Sequence, residues 1–563
     1  MEKSDMPVRT LVDKIVQGEL RLPEMQREYV WPATRVRDLL DSLYRGYPSG
    51  VILAWEPGED VDLRETAVAT GTGLHARPLL LLDGQQRLTS LAAVTRGEPV
   101  KVRGHSRPVE ILFNLDHPDE LTYVDEVDEH TDDGADSGDD EDNDLLTRLN
   151  RRTFMVSSRR AEAEPNWVKV TDVFKREDAE ILQDAGVTGF DDPNYARYSK
   201  RLAALKAINE YQYRVDTLES SKSYQEVTEI FVRVNSLGAK LRSSDLALAQ
   251  ITAQWRGSLS LFLEYQEKIR QRGFALDVGI FLRTMVALVT GQSRFKTVGS
   301  IGVDDLKSGW ERAKKAFDHA VNFAISAAGI DSPMLLSSPF LLVAAAYWAD
   351  WNGYQHSAEE AVAFRRWFLL ANAKGRYSRG ATETALDQDL AEVRSGSGVQ
   401  GLIDRLVQQV GRLDFTAADL AGRSTNSGAF KTMFLAYQRD GAEDWSTHLP
   451  ISAKHSGYVD KIEFHHIFPR AYLKTARPDL VRAQVNDIAN MAFIGAATNK
   501  LISDRPPAEY QAIFDSESLA LQQVYIPSGA GYGSDFETFI IRRRQAMAEK
   551  LNEFLHTTSK SQD

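Results

Sequence analysis

The run of four leucines at positions 79–82 is the feature that most constrains how this chain folds. A strand with one face in solvent alternates apolar and polar residues, whereas a continuous apolar run indicates a strand covered on both faces. The run ends at Asp83-Gly84, a common turn pair, and a helical pattern of apolar residues follows at 88–92. Residues 1–255 are therefore predicted to form an α/β domain with a mixed sheet.

The length of the chain, 563 residues, exceeds what a single core supports and indicates about three domains. From 256 to 420 the apolar residues follow helical spacing almost throughout, which predicts an all-α middle region. A stretch at 421–430 that contains Gly and Ser marks a boundary, so residues 421–563 are predicted to form a C-terminal domain. The predicted fold class is α+β and multidomain.

A strongly acidic block at 116–144 dominates the net charge. Fifteen of its 29 residues are Asp or Glu and none is Lys or Arg; without these fifteen acids the formal charge of −13 becomes +2. Like charges at this density prevent packing, so the block is predicted to be a disordered insertion between strands at 109–115 and 154–158. Two interpretations stay open: a solubilising loop, or a nucleic-acid mimic that covers a basic groove.

The composition excludes several classes of site. The chain has no cysteine, so disulfides and thiolate metal sites are excluded, and any metal must be held by His, Asp, Glu or Asn. The longest apolar run, at 339–348, has ten residues, about half of what a membrane-spanning helix needs. We therefore expect a cytoplasmic protein with no membrane segment.

The turn after the leucine run has the composition of an anion-binding site. Where a strand passes through a turn into a helix, backbone N–H groups and the positive end of the helix dipole converge, which suits phosphate. Gly84 supplies a permissive backbone. Gln85 and Gln86 supply amide donors, and Arg87 can bind a phosphate with two hydrogen bonds. Asp83 either holds a metal ion or only caps the turn, and the alternative for the whole motif is an ordinary turn with a surface arginine.

Two other polar strings in this part of the chain are candidates for the same site. The first combines polar and aromatic side chains: Gln26, Arg27, Tyr29 and Trp31. The second, at 230–250, places Asn235 in a predicted turn after one helix, with Ser243 or Ser244 as the cap of the next. The first has a structural alternative, because aromatic residues at this spacing are also typical of a core.

A second group of polar residues stands near the C-terminus: His465, His466, Asn490 and Asn499. A hydrolytic nuclease needs a base that deprotonates water and a divalent cation that spreads the charge on the phosphate. Neighbouring side chains on a strand point to opposite sides, but a turn at the following Pro469 would let one histidine hold the metal while the other faces the water. The alternative is a structural pair of histidines.

Four strings in sequence order show a family resemblance: "LPEMQREYVWP", "YRGYPSGVILAW", "LLDGQQRLTSL" and "IFVRVNSLGAKLRSSDL". They resemble the N-terminal domain of the GmrSD and SspE group of phage-defence restriction proteins, which is similar in fold to ParB and sulfiredoxin. The resemblance implies that a nucleoside triphosphate, with GTP favoured, is hydrolysed in response to modified DNA. The implied site residues are Asp83, Gly84, Gln85, Gln86, Arg87 and Asn235. Because no Walker-type loop is present, hydrolysis would depend on positioning and on charge stabilisation by Arg87, together with Mg²⁺.

The C-terminal part resembles the HNH-like, or ββα-metal, nuclease domain of the same group. By that resemblance His466 is the general base and Asn490 is the middle residue that fixes the loop and the base. The metal-ligand positions are His465 and Asn499. These roles imply a DNA nuclease that uses Mg²⁺ or Mn²⁺.

One position departs from the pattern of the HNH-like domain. Many such sites have a carboxylate where this chain has His465, and two neutral ligands bind Mg²⁺ less well than a carboxylate does. The departure favours Mn²⁺ or another softer ion, with Asp460 or Glu463 as a candidate further ligand. Lys500, next to a ligand position, either contacts phosphate or is a solvated lysine.

The string with Gln26, Arg27, Tyr29 and Trp31 is the candidate sensor of a DNA modification. An apolar wall beside an arginine favours a backbone phosphorothioate, because sulfur is larger and more weakly hydrated than oxygen. A glucosylated base would need a roomy polar cleft instead. The short string favours the phosphorothioate slightly.

The leading hypothesis is an anti-phage restriction nuclease that senses DNA modification, hydrolyses NTP and nicks or cleaves DNA. Its expected partners are double-stranded DNA of host or phage and the nucleotide, and a homodimer is left open. The main alternative is a nucleotide-switched, ParB-like DNA-binding module without nuclease activity. A zinc peptidase or phosphatase ranks last, because the histidine pair lacks a convincing carboxylate third ligand nearby.

Overall fold

The computed structural model describes residues 2–23, 31–58, 63–64, 78–100, 108–118, 152–158, 161–237, 242–454, 461–524 and 536–557. It divides the chain into two compact units, Met1–Gly257 and Ser258–Asp563. None of the helices within these ranges is long and apolar enough to cross a membrane.

The strands of the first unit are, in chain order, Glu2–Pro7 (β1), Leu20–Pro23 (β2), Ile52–Trp55 (β3), Leu63–Arg64 (β4), Leu79–Asp83 (β5), Ile111–Asn114 (β6), Phe154–Val156 (β7), Trp167–Lys169 (β8) and Gln212–Leu218 (β9). Six of them form one sheet in the order β1-β9-β3-β5-β2-β4. Because β5 pairs in parallel with β2 and antiparallel with β3, the sheet is mixed, as predicted.

Helices cover this sheet on both faces. They are Val8–Val16, Ala33–Tyr44, Gln85–Thr95, Val170–Lys175, Asp178–Asp184, Tyr195–Lys206, Tyr224–Leu237 and Ser243–Gln254. Leu81 belongs to the large core, whereas Leu80 and Leu82 belong to a second core with Val227 and Ala249. The leucine run is therefore buried from both sides, which confirms the prediction.

The acidic insertion connects two strands that lie side by side. β6 pairs antiparallel with β7 and with β8, and the small sheet has the order β7-β6-β8. The strands predicted on either side of the acidic block are thus confirmed. The block itself lies outside the described residues beyond position 118, so its predicted disorder stays a prediction.

The prediction for the string at 230–250 is wrong in part. Asn235 lies inside the helix Tyr224–Leu237 rather than in a turn after it, because apolar residues continue the helical spacing to Leu237. The next helix begins at Ser243, and its N-cap is Arg242, whose backbone N–H donates to the Asp245 carboxylate at 3.2 Å. The Asp245 carboxylate therefore satisfies the N–H of the N-cap residue, whereas a serine N-cap was expected to accept from an N–H inside the first turn.

The second unit begins as a bundle of helices, in agreement with the predicted middle region. They are Ser258–Gln271, Val278–Thr290, Val303–Ser326, Phe340–Trp351, Ala358–Lys374, Thr382–Ser395, Gly398–Val410, Ala417–Leu420 and Gly428–Arg439. The last helix of the chain, Phe536–His556, packs on this bundle, and Asn552 bonds to both backbone groups of Phe415 at 2.8 and 2.9 Å. The division at residue 420 stays a prediction.

Between the bundle and the last helix lies a two-stranded hairpin, Ile462–His466 (β10) and Met491–Gly495 (β11). Short helices surround it: Arg470–Ala476, Arg482–Val485, Ala496–Ile502, Pro507–Tyr510 and Ser516–Leu521. The hairpin contains both candidate histidines, and the first two of these helices lie on the connection between its strands.

Candidate functional site

The hairpin and the helix after it bring most of the predicted C-terminal residues together. β10 and β11 pair antiparallel, with His465 opposite Ala492 and His466 opposite Met491. The helix Ala496–Ile502 begins immediately after β11 and presents Asn499 next to β10. Residues that are 34 positions apart in the chain thus meet at one place.

Three polar side chains form a hydrogen-bonded row on one side of β10. Nδ1 of His465 lies 2.7 Å from Oδ1 of Asn499, and the amide nitrogen of Asn499 donates to the Glu463 carboxylate at 2.6 Å. Glu463 and His465 point to the same side because they are two residues apart on a strand. The structure therefore brings together the two predicted metal ligands and one of the two candidate carboxylates.

This row has the donor types that a divalent cation uses. His465 is 3% exposed, and its Nε2 atom is buried without a hydrogen-bond partner in the described structure. Burial lowers the pKa of His465 to about 4, so the imidazole is neutral at neutral pH. A neutral imidazole, an amide oxygen and a carboxylate fit Mn²⁺ and similar ions. Across the described ranges no three His, Asp or Glu residues are grouped to hold a metal, so the Asn499 amide would have to complete the set.

His466 lies on the other side of β10 and is half-buried. Its Nε2 atom lies 3.0 Å from Oδ1 of Asn486 and 3.1 Å from Nε of Arg470. Burial, with a further contribution from the Arg470 charge, lowers the pKa of His466 to about 4. The imidazole is therefore neutral and has a lone pair, which a general base requires.

Asn490 is fully buried and closes the connection that leaves β10. Its amide nitrogen donates to the carbonyls of Phe468 and Val485, at 3.1 and 2.9 Å, and its Oδ1 accepts from the N–H of Phe468 at 2.9 Å. Its backbone carbonyl accepts from Ile467 at 2.8 Å. These contacts assign Asn490 a positioning role, since all of them are with backbone groups.

Asp444, which the sequence did not reveal as a site residue, holds the helix of Asn499 in place. Its carboxylate is 3% exposed and accepts from the N–H of Gly495 at 2.6 Å and from the hydroxyl of Thr498 at 2.7 Å. Burial alone would raise its pKa, but the hydrogen bonds from Thr498 and Gly495 keep the pKa of Asp444 below the ordinary value. No local pattern could reveal a cap that lies 51 residues from the helix start.

Arg543 is a second positioning residue that the sequence did not reveal. It is buried in the last helix and donates to the carbonyls of Ala489 and Met491, both at 2.7 Å, and to that of Gln522 at 3.0 Å. The guanidinium thus fixes the backbone on both sides of Asn490. Nothing in the sequence singles out Arg543, because its three carbonyl partners lie on other segments of the chain.

The predicted anion site in the first unit is a tight turn between β5 and the helix Gln85–Thr95. Gly84 has φ of +98°, and a Cβ at this position would lie 2.3 Å from Cδ1 of Ile52. Only glycine fits both constraints. The N-cap of the helix is Gly84, which has no side chain to cap the first turn, and Gln85 is 9% exposed.

Arg87 is held by the loop before β3 rather than pointing into solvent. Its guanidinium donates to the carbonyls of Ser49 and Val51, at 2.6 and 2.8 Å, and to the Asp83 carboxylate at 3.1 Å. The side chain is 13% exposed. We call this set of contacts the Arg87 latch. It shows that the second and third resemblance strings meet in space.

The first string also reaches this turn. The backbone N–H of Trp31 donates to Oε1 of Gln86 at 3.2 Å, and the Trp31 ring is partly buried against the large core. Trp31 therefore packs against the core, which was the structural alternative to its predicted role in sensing a DNA modification. Gln26, Arg27 and Tyr29 lie outside the described residues, as do Asp460 and the side chain of Asn235.

Gly50 provides a test of the Arg87 latch. It has φ of +98°, and a Cβ there would lie 2.3 Å from Nη1 of Arg87, so Gly50→Ala adds backbone strain and displaces the guanidinium. Gly46 has φ of +72° with open space around it, so Gly46→Ala adds strain alone. We expect thermal unfolding of the full chain to show a loss of about 1 kcal/mol for Gly46→Ala and roughly 2–4 kcal/mol for Gly50→Ala. Equal losses would contradict the latch.

Comparison with known proteins adds an independent finding. A protein of Methanocaldococcus jannaschii, named as the uncharacterized protein MJ0686, is 24% identical over an alignment of 540 positions that covers 89% of this chain and 85% of that one. Residues 8–252 match the family described as the GmrSD restriction endonuclease, N-terminal domain. The matched range contains the Asp83–Arg87 turn, the loop of Gly50 and Trp31. Residues 8–252 of this chain are therefore similar to the N-terminal domain of the GmrSD restriction endonuclease.

Proposed function

We propose that this protein is a metal-dependent DNA nuclease of phage defence whose cutting site is the β10–β11 hairpin with the helix Ala496–Ile502. The observation that carries the proposal is the division of groups across β10: a row of cation donors on one side and a neutral histidine on the other. The strand–strand–helix order is that expected of a ββα-metal domain. The restriction endonuclease family of residues 8–252 supports DNA as the substrate.

The side chains divide the hydrolysis between them. His465, Asn499 and Glu463 would hold the divalent cation, which when bound supplies positive charge at the scissile phosphate. His466 accepts a proton from the attacking water. As the water oxygen bonds to phosphorus, the P–O bond to the leaving sugar oxygen breaks, and that oxygen takes up a proton from solvent. Asn490 keeps the turn after β10 in place while this happens.

The turn at Asp83–Arg87 is proposed as the nucleoside triphosphate site, with GTP favoured. Its support is the positive-φ glycine at the start of the helix Gln85–Thr95, with the Arg87 guanidinium within the same turn. A phosphate bound to Arg87 would replace the carbonyls of Ser49 and Val51 as acceptors. Nucleotide binding would therefore release the loop before β3, and coupling to modified DNA sensed by the string at 22–32 would act through that release.

His466→Ala tests the nuclease proposal. We expect the full-length variant to convert supercoiled plasmid to open circle at least about a hundredfold more slowly in Mn²⁺ or Mg²⁺, because the water loses its proton acceptor. The plasmid is supplied unmodified, phosphorothioated and glucosylated, with GTP present. His556→Ala is the matched control, since His556 is an exposed histidine of the same unit that bonds to Asp414 at 2.8 Å. Unchanged conversion by His466→Ala would favour the DNA-binding module without nuclease activity.

Arg87→Gln tests the nucleotide site separately. We expect GTP turnover to fall by a factor of about a hundred or more, because charge on the transferred phosphoryl group loses its stabilising cation. Arg9→Gln is the control: Arg9 is a 61% exposed arginine of the same unit that pairs with Glu210. Thermal unfolding of both variants shows whether loss of the Arg87 latch is by itself enough to unfold the domain. A folded Arg87→Gln variant with normal turnover would mean that the motif is architectural.

A further inference from the structure

A cavity of about 380 Å³ lies in the helical part of the second unit, lined by residues of the segment 376–381 and of the helices Thr382–Ser395 and Gly398–Val410. Three arginines and three glutamines supply most of its polar lining: Arg376, Arg379, Arg405, Gln388, Gln408 and Gln409. Among the described residues, no Asp or Glu lines it. A concave site with this charge attracts an anion.

Arg376 is the buried cation of this cavity, and its position is fixed by its neighbours. The side chain is 3% exposed, and Nε and Nη2 donate to the two carboxylate oxygens of Asp389 at 3.0 and 2.8 Å. Asp389 also accepts from the hydroxyl of Tyr377 at 2.6 Å. Nη1 donates to Oε1 of Gln409 at 2.8 Å, but its other bond, to the carbonyl of Arg405, is 3.5 Å long. One N–H of Nη1 therefore has only a weak acceptor, which a ligand oxygen can replace.

The other two arginines have donors without an acceptor in the described part of the chain. Arg405 donates from Nε to Glu392 at 2.6 Å and from Nη1 to Oε1 of Gln408 at 3.3 Å, which leaves Nη2 without a partner. Arg379 is exposed and has neither a hydrogen bond nor an ion pair within the described residues. Since Asp389 and Glu392 balance two of the three cations from behind the lining, one positive charge remains in excess.

We propose that this cavity binds a nucleoside monophosphate, with the phosphate at the three arginines and the base against the glutamine amides. A phosphate monoester carries a charge of about −1.5 to −2 at neutral pH, and guanidinium groups bind it with paired hydrogen bonds. The amide of Gln388 is exposed and has no hydrogen bond in the described structure, so it offers a donor and an acceptor to the edge of a base. The proposal is independent of the nuclease function and of the turn at Asp83–Arg87, because it uses other residues.

The size and depth of the cavity favour a single nucleotide over a smaller or a larger anion. Cavities that bind small organic ligands measure about 300–1,000 Å³, and this one, at about 380 Å³, lies at the lower end of that range. Inorganic phosphate would leave the glutamines without a partner. The backbone of a duplex is too wide to reach Arg376, whose side chain is 3% exposed.

The test measures binding of the four ribonucleoside 5′-monophosphates to the full chain by calorimetry, in EDTA so that no divalent cation contributes. We expect at least one of them to bind about tenfold more tightly than inorganic phosphate, and the matching nucleoside without phosphate not to bind. Arg379→Gln is expected to weaken the nucleotide about tenfold, because a hydrogen bond from a charged donor is lost. Gln388→Ala is expected to weaken the nucleotide about threefold and to leave binding of inorganic phosphate unchanged, because only the base loses a partner.

Arg270→Gln is the matched control, since Arg270 is a 63% exposed arginine of the same unit that Glu267 already neutralises at 2.6 Å. Its nucleotide affinity is expected to equal that of the parent. Four results would each overturn the proposal: no binding of any of the four nucleotides at millimolar concentration, an affinity that Arg379→Gln leaves unchanged, an equal loss in Arg270→Gln, or inorganic phosphate binding as tightly as the nucleotide. A short DNA duplex that binds more tightly than the nucleotide, and that loses this binding in Arg379→Gln, would also overturn it by assigning the cavity to DNA.

Discussion

Both candidate sites depend on an arginine that satisfies main-chain carbonyls. Arg87 donates to the carbonyls on either side of Gly50, and Arg543 donates to the carbonyls on either side of Asn490. A loop folded against a core buries carbonyls that no neighbouring strand can reach, and each unsatisfied one costs about 1–3 kcal/mol. One guanidinium has enough donors to satisfy two or three of them. The loops of both sites are ordered because their backbone has these partners.

At the hairpin, an ordered backbone fixes the side chains of the proposed nuclease site. Catalytic side chains work when their geometry is fixed before the substrate arrives, because a misplacement of about 1 Å can cost two orders of magnitude in rate. His465 and Asn499 come from a strand and a helix, and Asp444 ties the start of that helix to the strand end. Asn490 does the same for the turn that leaves His466. The two residues that position these side chains, Asp444 and Asn490, are both buried.

The sequence predicted those features that are encoded locally. The leucine run gave the buried strand β5, and the order of His465, Asn490 and Asn499 led to a site whose members do lie close together. What escaped prediction is non-local: Asp444 and Arg543 meet the site from 51 and 52 residues away. A sequence pattern also does not show whether an arginine binds a phosphate or a backbone carbonyl. At Asn235 a turn was predicted where helical periodicity continues for two more residues.

The acceptors around Arg87 bear on how the proposed nucleotide site would work. Three oxygens already accept hydrogen bonds from Arg87: the carbonyl oxygens of Ser49 and Val51 and a carboxylate oxygen of Asp83. A phosphate that binds to Arg87 would have to displace them and so release the loop before β3. Binding at the proposed site would therefore be coupled to a conformational change, and a nucleotide site with this property can act as a switch.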